Sequence, residues 1–176
     1  MDLIHILEFA LAGILLKMAD KYGEERNSLI GYASAFAAAS LFWLLVNVDH
    51  YTSTAILAVV IGCIASLKVD RWNLAAGLAL LVALMVIIGL EFPVLPALTA
   101  LSVAAYLDEA GHDRPWRMRY VKLLFRYRFF LKGVAVLLAV IGLLNMLSAV
   151  GLITFDISYE VAGAMLKRGR STVEAD

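Results

Sequence analysis

Long apolar runs, separated by short polar stretches, follow one another along almost the whole chain. Residues 73–90 carry no charged side chain at all. The other apolar runs span residues 3–19, 28–47, 52–67, 94–107 and 129–150. A bilayer core of about 30 Å takes roughly 20 residues of helix, so the shorter runs need flanking residues or local thinning of the bilayer. The pattern predicts an all-α, polytopic transmembrane helical bundle of six to seven spans.

The composition agrees with this pattern. Hydrophobic residues make up 62% of the chain and charged residues 17%, whereas a soluble domain carries about a quarter charged residues. The formal net charge of zero indicates nothing about partners. From the apolar runs we expect membrane lipid, and not nucleic acid, as the partner. The single cysteine, Cys63, excludes a disulfide within one chain. None of these features indicates an oligomeric state.

Lysine and arginine residues are distributed unevenly between the polar stretches. They occur in three loops, at residues 17–27, 68–72 and 108–128, and are missing from the N-terminus and from the turns at 48–53 and 91–93. Basic loops stay on the cytoplasmic side of a membrane. We therefore predict a multi-pass protein of the cell membrane whose N-terminus lies outside.

The C-terminal stretch decides between six and seven spans. The run 129–150 is predicted to end outside, yet the basic residues that follow residue 166 favour the cytoplasm. A seventh crossing over residues 152–166 resolves this conflict, and an amphipathic helix on the outer interface is the alternative. We expect one transmembrane domain over residues 1–170 and a disordered polar tail over 171–176.

Two polar stretches share a pattern: MADKYGEERN at 18–27 and YLDEAGHDRP at 106–115. Both contain Asp-x-x-Gly-x-acid-Arg, and both follow an apolar run on the same predicted side. An internal duplication explains the match. Ordinary loop composition explains it as well, because glycine ends helices and arginine is common in cytoplasmic loops.

Carboxylates are more frequent at the predicted cytoplasmic face than the topology requires, because acids contribute little to orientation. That face carries Asp20, Glu24, Glu25, Asp70, Asp108, Glu109 and Asp113. Clustered carboxylates repel one another unless a metal ion, a proton or an arginine lies among them. Mg²⁺ prefers one or two carboxylates together with phosphate oxygens. We therefore predict a cation-dependent acidic site, with Mg²⁺ as the expected cofactor, acting on a lipid diphosphate or a similar anionic lipid.

Basic residues near this face are candidates for binding the anionic headgroup. They are Arg114, Arg126, Arg128 and Lys132. Arginine suits phosphate because its planar guanidinium donates two parallel hydrogen bonds. The alternative role for residues 126–132 is anchoring at the membrane interface. Asp70, beside Arg71, has three possible roles: it joins the acidic site, caps a helix or forms a local pair with Arg71.

The two acidic loops resemble the two Asp-rich motifs of the UbiA-type intramembrane prenyltransferases. DKYGEERN is similar to their first motif, Asp-x-x-x-Asp followed by Asn, with Glu24 as the second acid, and Leu16 stands where the family has Asn. DEAGHDR is similar to the second motif, with His112 as an extra residue. The resemblance implies a transferase that binds an isoprenyl diphosphate through Mg²⁺. The metal ligands that the resemblance implies are Asp20, Glu24, Asp108 and Asp113.

Acids within the apolar runs suggest a rival function. Glu8 lies in the first run, and Asp156 and Glu160 share one helical face in the last. Ionisable residues within spans are costly and mark ion or proton paths, so a cation or proton-coupled transporter or channel is the second hypothesis. For Glu8, an interfacial pair with His5 is the alternative.

A non-catalytic scaffold subunit is the third hypothesis. Small residues at 31–40 allow close helix packing, and the basic loop 108–128 would bind anionic lipid or a soluble partner. The sequence indicates no catalytic residue and leaves open whether the protein is an enzyme.

Overall fold

The computed structural model describes residues 2–24, 28–112 and 118–173. Within these ranges the chain forms eight α-helices and no strand. They are α1 (Asp2–Tyr22), α2 (Leu29–Val46), α3 (His50–Ala65), α4 (Trp72–Ile87), α5 (Leu95–His112), α6 (Arg119–Arg126), α7 (Phe129–Val140) and α8 (Met146–Val173). The predicted all-α class is confirmed.

The predicted single helix over 129–150 is wrong. α7 ends at Val140, and the chain then turns through Gly142, whose φ of 80° is in the left-handed region. Asn145 begins the next helix, because its Oδ1 accepts a hydrogen bond from the N–H of Ser148 at 2.6 Å and caps the first turn. The stretch predicted as a separate seventh span, residues 152–166, therefore belongs to the 28-residue helix α8.

The basic loop predicted over 108–128 is also more ordered than expected. α5 continues to His112, and the short helix α6 occupies residues 119–126. The segment between these two helices, residues 113–117, lies outside the described residues, and so do residues 25–27 of the first acidic loop.

Two of the helices within the described ranges are long and apolar enough to cross a membrane. They are α2 and the part of α8 from Met146 to Lys167. Three further apolar helices, α3, α4 and α7, are shorter. Large apolar side chains are exposed on the helices, for example Val86 and Ile87 on α4 and Val140 on α7. Exposed apolar surface of this extent is typical of a protein that associates with a membrane.

The chain divides into two compact units. Unit 1 comprises Met1–Leu45, Asp70–Gly89 and Ile153–Asp176. Unit 2 comprises Val46–Val69 and Leu90–Leu152.

In unit 1, α1 and α8 pack closely and run in the same direction. A Cβ added to Gly13 would lie 2.3 Å from the carbonyl oxygen of Phe155, so the two backbones are in contact there. Lys17, one turn further along α1, has its side chain against Gly163, which lies about two turns further along α8. This contact requires glycine at position 13, because any side chain would force the helices apart.

A buried asparagine joins three helices of unit 1. Asn73, on the first turn of α4, is 4% exposed. Its Nδ2 donates to the carbonyl oxygen of Ala19 on α1 at 2.6 Å and lies 3.4 Å from that of Gly31 on α2. Further along, Gly77 on α4 packs against the backbone of Ala35 on α2. The pairs 73–31 and 77–35 increase together, so α2 and α4 are parallel.

In unit 2, α3 and α5 are parallel and α7 runs the opposite way. Thr54 accepts a hydrogen bond from the N–H of Val94 at 2.8 Å, before the start of α5, and Gly62 packs on Ala105 at its far end. The first turn of α7 lies against the last turns of α5, where Asp108 contacts it. α7 is therefore antiparallel to both α3 and α5.

Side-chain caps join the starts of α3 and α8 in unit 2. Asp49 accepts hydrogen bonds from the N–H groups of Tyr51 and Thr52 at 2.8 and 2.7 Å, which satisfies two unpaired donors of the helix terminus. Asn145 donates to the second Asp49 oxygen at 3.3 Å. The hydroxyls of Thr52 and Ser148, both buried, are 2.9 Å apart.

We predict that Gly13→Ala lowers the free energy of unfolding by about 1–3 kcal/mol, because an added methyl group overpacks the α1–α8 contact. Gly133→Ala on α7 is the matched control, since among the described residues no atom beyond its own stretch of helix lies within 4 Å of its Cβ position and alanine is the better helix former. Unfolding of the purified protein in detergent measures both. Equal effects at the two positions would contradict the close contact.

Candidate functional site

A network of polar side chains lies where α1 and α8 meet in unit 1. Lys17 donates to Asp20 Oδ2 at 2.7 Å, and the Tyr159 hydroxyl donates to the same oxygen at 3.2 Å. Lys17 Nζ also lies 3.3 Å from the Tyr159 hydroxyl and 4.6 Å from the centre of its ring. The three groups therefore form a closed triangle of hydrogen bonds, which we call the α1–α8 network.

Arg71, which immediately precedes α4, extends this network. Its Nη1 lies 3.2 Å from Asp20 Oδ1, and the same nitrogen donates to the Asp20 carbonyl oxygen. Its Nη2 lies 3.5 Å from Glu24 Oε1. Asp70 is 4.0 Å from Arg71 and its side chain is 69% exposed, so this contact is weak. The Asp20 carboxylate thus has a cation on each of its oxygens.

Glu24 forms the exposed edge of the same group. The hydrogen bond from Lys21, 2.5 Å long, lowers the pKa of Glu24, and the charges of Lys21 and Arg71 act in the same direction against partial burial. The glutamate is therefore ionised at neutral pH. Because its pKa is lowered by folding, its contribution to stability is present at neutral pH and is lost as the pH falls through the lowered pKa.

Two acids on α8, Asp156 and Glu160, lie close in sequence to Tyr159 of the α1–α8 network. Asp156 is 1% exposed, although its position in sequence is near the middle of a long apolar helix. Glu160 is half-buried one turn further on. Positions 156, 159 and 160 share one helical face, so Asp156 lies one turn before Tyr159, whose hydroxyl contacts Asp20.

At the other end of α1, Glu8 has a local partner. Its Oε2 lies 2.9 Å from His5 Nδ1, and both side chains are part-exposed. The spacing of three residues on a helix brings them together. This is the interfacial pair that the sequence offered as the alternative for Glu8.

The acids of the second polar stretch hold the start of α7 in unit 2. Asp108 is 1% exposed, and its two oxygens accept hydrogen bonds from the N–H groups of Phe130 at 3.3 Å and Leu131 at 2.7 Å. These are first-turn donors of α7, which have no partner within their own helix. Glu109 forms an ion pair with Arg128, the residue before α7, whose φ of 49° is left-handed. Asp108 is therefore a cap supplied from another helix.

The predicted headgroup-binding residues have different surroundings. Arg128 pairs with Glu109, and Lys132 donates to the carbonyl oxygen of Tyr127 at 2.7 Å. Arg126 is the last residue of α6, but its side chain lies outside the described part of the structure. The whole of Arg114 lies outside it. The two described side chains are thus engaged by groups of the protein itself.

The candidate metal ligands are only partly brought together. Asp20, Glu24 and Asp70 surround Arg71 in unit 1, Asp108 caps α7 in unit 2, and Asp113 lies in the segment that is not described. Among the described residues, no three His, Cys, Asp or Glu side chains are grouped so that they could hold a metal ion. The Mg²⁺ site stays a prediction.

Sequence reasoning missed Arg71 and Tyr159 as members of the site. Tyr159 lies three residues after Asp156, and this helical spacing was the available signal. The contact between Arg71 and Asp20 joins residues that are far apart in sequence and on different helices, so no local pattern indicated it.

No protein-family model, curated protein or solved structure matches the chain. The resemblance of the acidic loops to the UbiA-type motifs therefore stays a prediction.

We predict that Asp108→Ala destabilises the protein by about 1–3 kcal/mol, because two buried N–H groups of α7 lose their acceptor. Asp108→Asn is expected to lose less, since its amide oxygen still accepts a hydrogen bond. Unfolding in detergent measures stability, and titration with Mg²⁺ measures metal binding. If Asp108→Asn keeps wild-type stability but abolishes Mg²⁺ binding, the carboxylate is a metal ligand in addition to a cap.

We also predict that Lys21→Met raises the pKa of Glu24 towards its ordinary value, because the hydrogen bond from Lys21 is the largest cause of the lowered pKa. Carbon-13 NMR of the glutamate carboxyl group during a pH titration measures this shift. Lys167→Met removes the same charge from the exposed end of α8 and serves as the control. An unchanged Glu24 pKa in Lys21→Met would exclude the pair in solution.

Proposed function

We propose that the protein is a multi-pass membrane protein in which α1, α2, α3, α4, α5, α7 and α8 each cross the bilayer. The helix directions support this topology. In unit 1, α1 is parallel to α8, and α2 is parallel to α4. In unit 2, α3 is parallel to α5 and antiparallel to α7. Seven successive crossings require these directions. The excess of basic residues in loops 17–27, 68–72 and 108–128 supports an N-terminus outside the cell membrane.

Within this topology we propose that the contact between α1 and α8 transfers protons. The observation that carries the proposal is Asp156, an acid that is 1% exposed and lies within a helix long and apolar enough to cross a membrane. Burying an ionisable group in such a helix costs free energy, and proteins retain these groups mainly where ions or protons move.

The α1–α8 network supplies a continuation from Asp156 towards one end of the helices. The Tyr159 hydroxyl is both a donor and an acceptor, so it can pass a proton between neighbouring groups. It lies within hydrogen-bond distance of Asp20 and Lys17. Beyond them, Arg71 contacts Asp20 and Glu24, and Glu24 is part-exposed. The sequence of groups thus runs from a fully buried acid to an acid in contact with solvent.

The charges along this path favour protons over metal cations. Lys17 and Arg71 are both within 3.2 Å of a carboxylate oxygen of Asp20. A metal cation passing Asp20 would meet two positive charges at close range, where repulsion is strong in a medium of low dielectric constant. A proton needs only hydrogen bonds, which the network provides.

The hypothesis of a Mg²⁺-dependent site for a lipid diphosphate has less support from the described contacts. Asp20 and Glu24 already face Lys17, Lys21 and Arg71, and Asp108 accepts two backbone hydrogen bonds. A divalent cation would have to displace these partners. The hypothesis stays a prediction, and no described contact favours a scaffold role over proton transfer.

We predict that Asp156→Asn slows proton flux by about a hundredfold, the lower range for removing a positioned proton-transfer group. The measurement uses the full chain in liposomes with a pH-sensitive dye inside and a potassium diffusion potential as the driving force. Asp70→Asn is the matched control, because that acid is exposed and only weakly paired. It should leave the flux unchanged.

Tyr159→Phe gives an independent test if Asp156→Asn fails to fold. It removes only the hydroxyl and keeps the ring beneath Lys17, so the fold should persist while flux falls. Elution from a sizing column and the unfolding temperature verify folding of each variant. Wild-type flux in both folded variants would overturn the proposal, as would equal loss in Asp70→Asn.

A further inference from the structure

The short helix α6 carries basic residues along one side and apolar residues along another. Its sequence is RYVKLLFR. The basic residues occupy positions 119, 122 and 126, at spacings of three and four, so they lie along one side of the helix. A basic stripe of this kind is typical of helices that rest on anionic surfaces.

A second side of α6 is apolar and exposed. Tyr120 is 82% exposed, and Leu123 and Leu124 are 46% and 43% exposed. Positions 120, 123 and 124 are again separated by three and four residues. Two turns of helix with exposed leucine and tyrosine beside a basic stripe have both the apolar and the charged component of an interfacial helix.

A third side of α6 fixes the helix to unit 2. The Phe125 ring packs against Gly111 of α5, where a Cβ would lie 2.1 Å from it. The same ring stacks on Phe130 of α7, with centroids 5.4 Å apart and planes inclined by 25°. Glycine at position 111 is required, because a side chain there would occupy the space of the phenylalanine.

The position of α6 along the chain agrees with an interfacial location. α6 ends at Arg126 and the apolar helix α7 begins at Phe129. The start of α7 is held by Asp108 and by the Glu109–Arg128 pair, so the junction between the two helices is firmly anchored. A helix attached to the end of a membrane-crossing helix lies at the depth of the lipid headgroups.

We propose that α6 is a binding site for anionic phospholipid, with the basic positions at the headgroup phosphates and Tyr120, Leu123 and Leu124 at the start of the acyl chains. The proposal rests on the membrane location proposed above and not on proton transfer. An anionic phospholipid matches both sides of α6, because its phosphate suits the basic stripe and its acyl chains suit the exposed apolar side. Free phosphate lacks the chains that this side contacts.

The test uses the full chain in nanodiscs of phosphatidylcholine. An environment-sensitive fluorophore is attached to the Met118→Cys variant, at an exposed position directly before α6, in a Cys63→Ala background. Short-chain phosphatidylglycerol is titrated in, with short-chain phosphatidylcholine and glycerol phosphate as separate arms. We expect a blue shift with phosphatidylglycerol only. Lys122→Gln should weaken the apparent affinity about fivefold, the contribution of one basic residue near an anionic membrane surface.

The matched control is Lys167→Gln, which removes the same charge from an exposed position on α8. It should leave the affinity unchanged. The proposal is overturned by an equal response to phosphatidylcholine or glycerol phosphate, by wild-type affinity in Lys122→Gln, or by an equal loss in Lys167→Gln.

The same experiment separates this proposal from the previous one. Failure of the wild-type chain to enter nanodiscs would overturn the membrane location and with it both proposals. An embedded protein that conducts protons but does not respond to phosphatidylglycerol would overturn the role of α6 alone.

Discussion

The close approach of α1 and α8 at Gly13 determines the position of the α1–α8 network in unit 1. Two parallel helices whose backbones touch at one level keep their side chains in register one turn further on. That register brings Lys17 and Tyr159 to the same height, and Asp20 then completes the triangle. If position 13 carried a larger side chain, the helices would separate and these hydrogen bonds would be lost together.

Carboxylates in this protein are neutralised in two different ways. In unit 1, Asp20 and Glu24 lie against lysine and arginine side chains. In unit 2, the buried Asp108 faces backbone N–H groups at a helix start, where the partial positive charge of the helix dipole also favours it. Both arrangements give the carboxylate a partner of opposite charge or polarity, which the buried Asp108 requires most. The two acidic stretches therefore resemble each other in sequence but differ in their contacts.

Hydropathy alone predicted much of the helical architecture. The run 28–47 became α2 at Leu29–Val46, and the run 52–67 became α3 at His50–Ala65. The break between α7 and α8 was not predicted, because Gly142 and Asn145 stand among apolar neighbours. The hydropathy averaged over this stretch therefore stays high. α6 was missed for the opposite reason: its many charges indicated a loop, although their spacing is helical.

The candidate site was predictable only in part. Asp156 and Glu160 were identified as candidate site residues because they are four residues apart, and this spacing places two side chains on one face of a helix. The pairing of Asp20 with Tyr159 joins residues separated by 139 positions, and no local pattern records such a contact. The capping role of Asp108 escaped prediction as well, since it depends on where α7 begins relative to α5.

The length of α8 has a geometric consequence. At a rise of about 1.5 Å per residue, its 28 residues extend for about 42 Å, well beyond a hydrocarbon core of about 30 Å. In the proposed topology, tilting of α8 or projection of its basic C-terminal turns into water would absorb the excess. If Met146 lay at one edge of the core, Asp156 would stand about 15 Å inside it, close to the bilayer midplane and equally far from both aqueous phases.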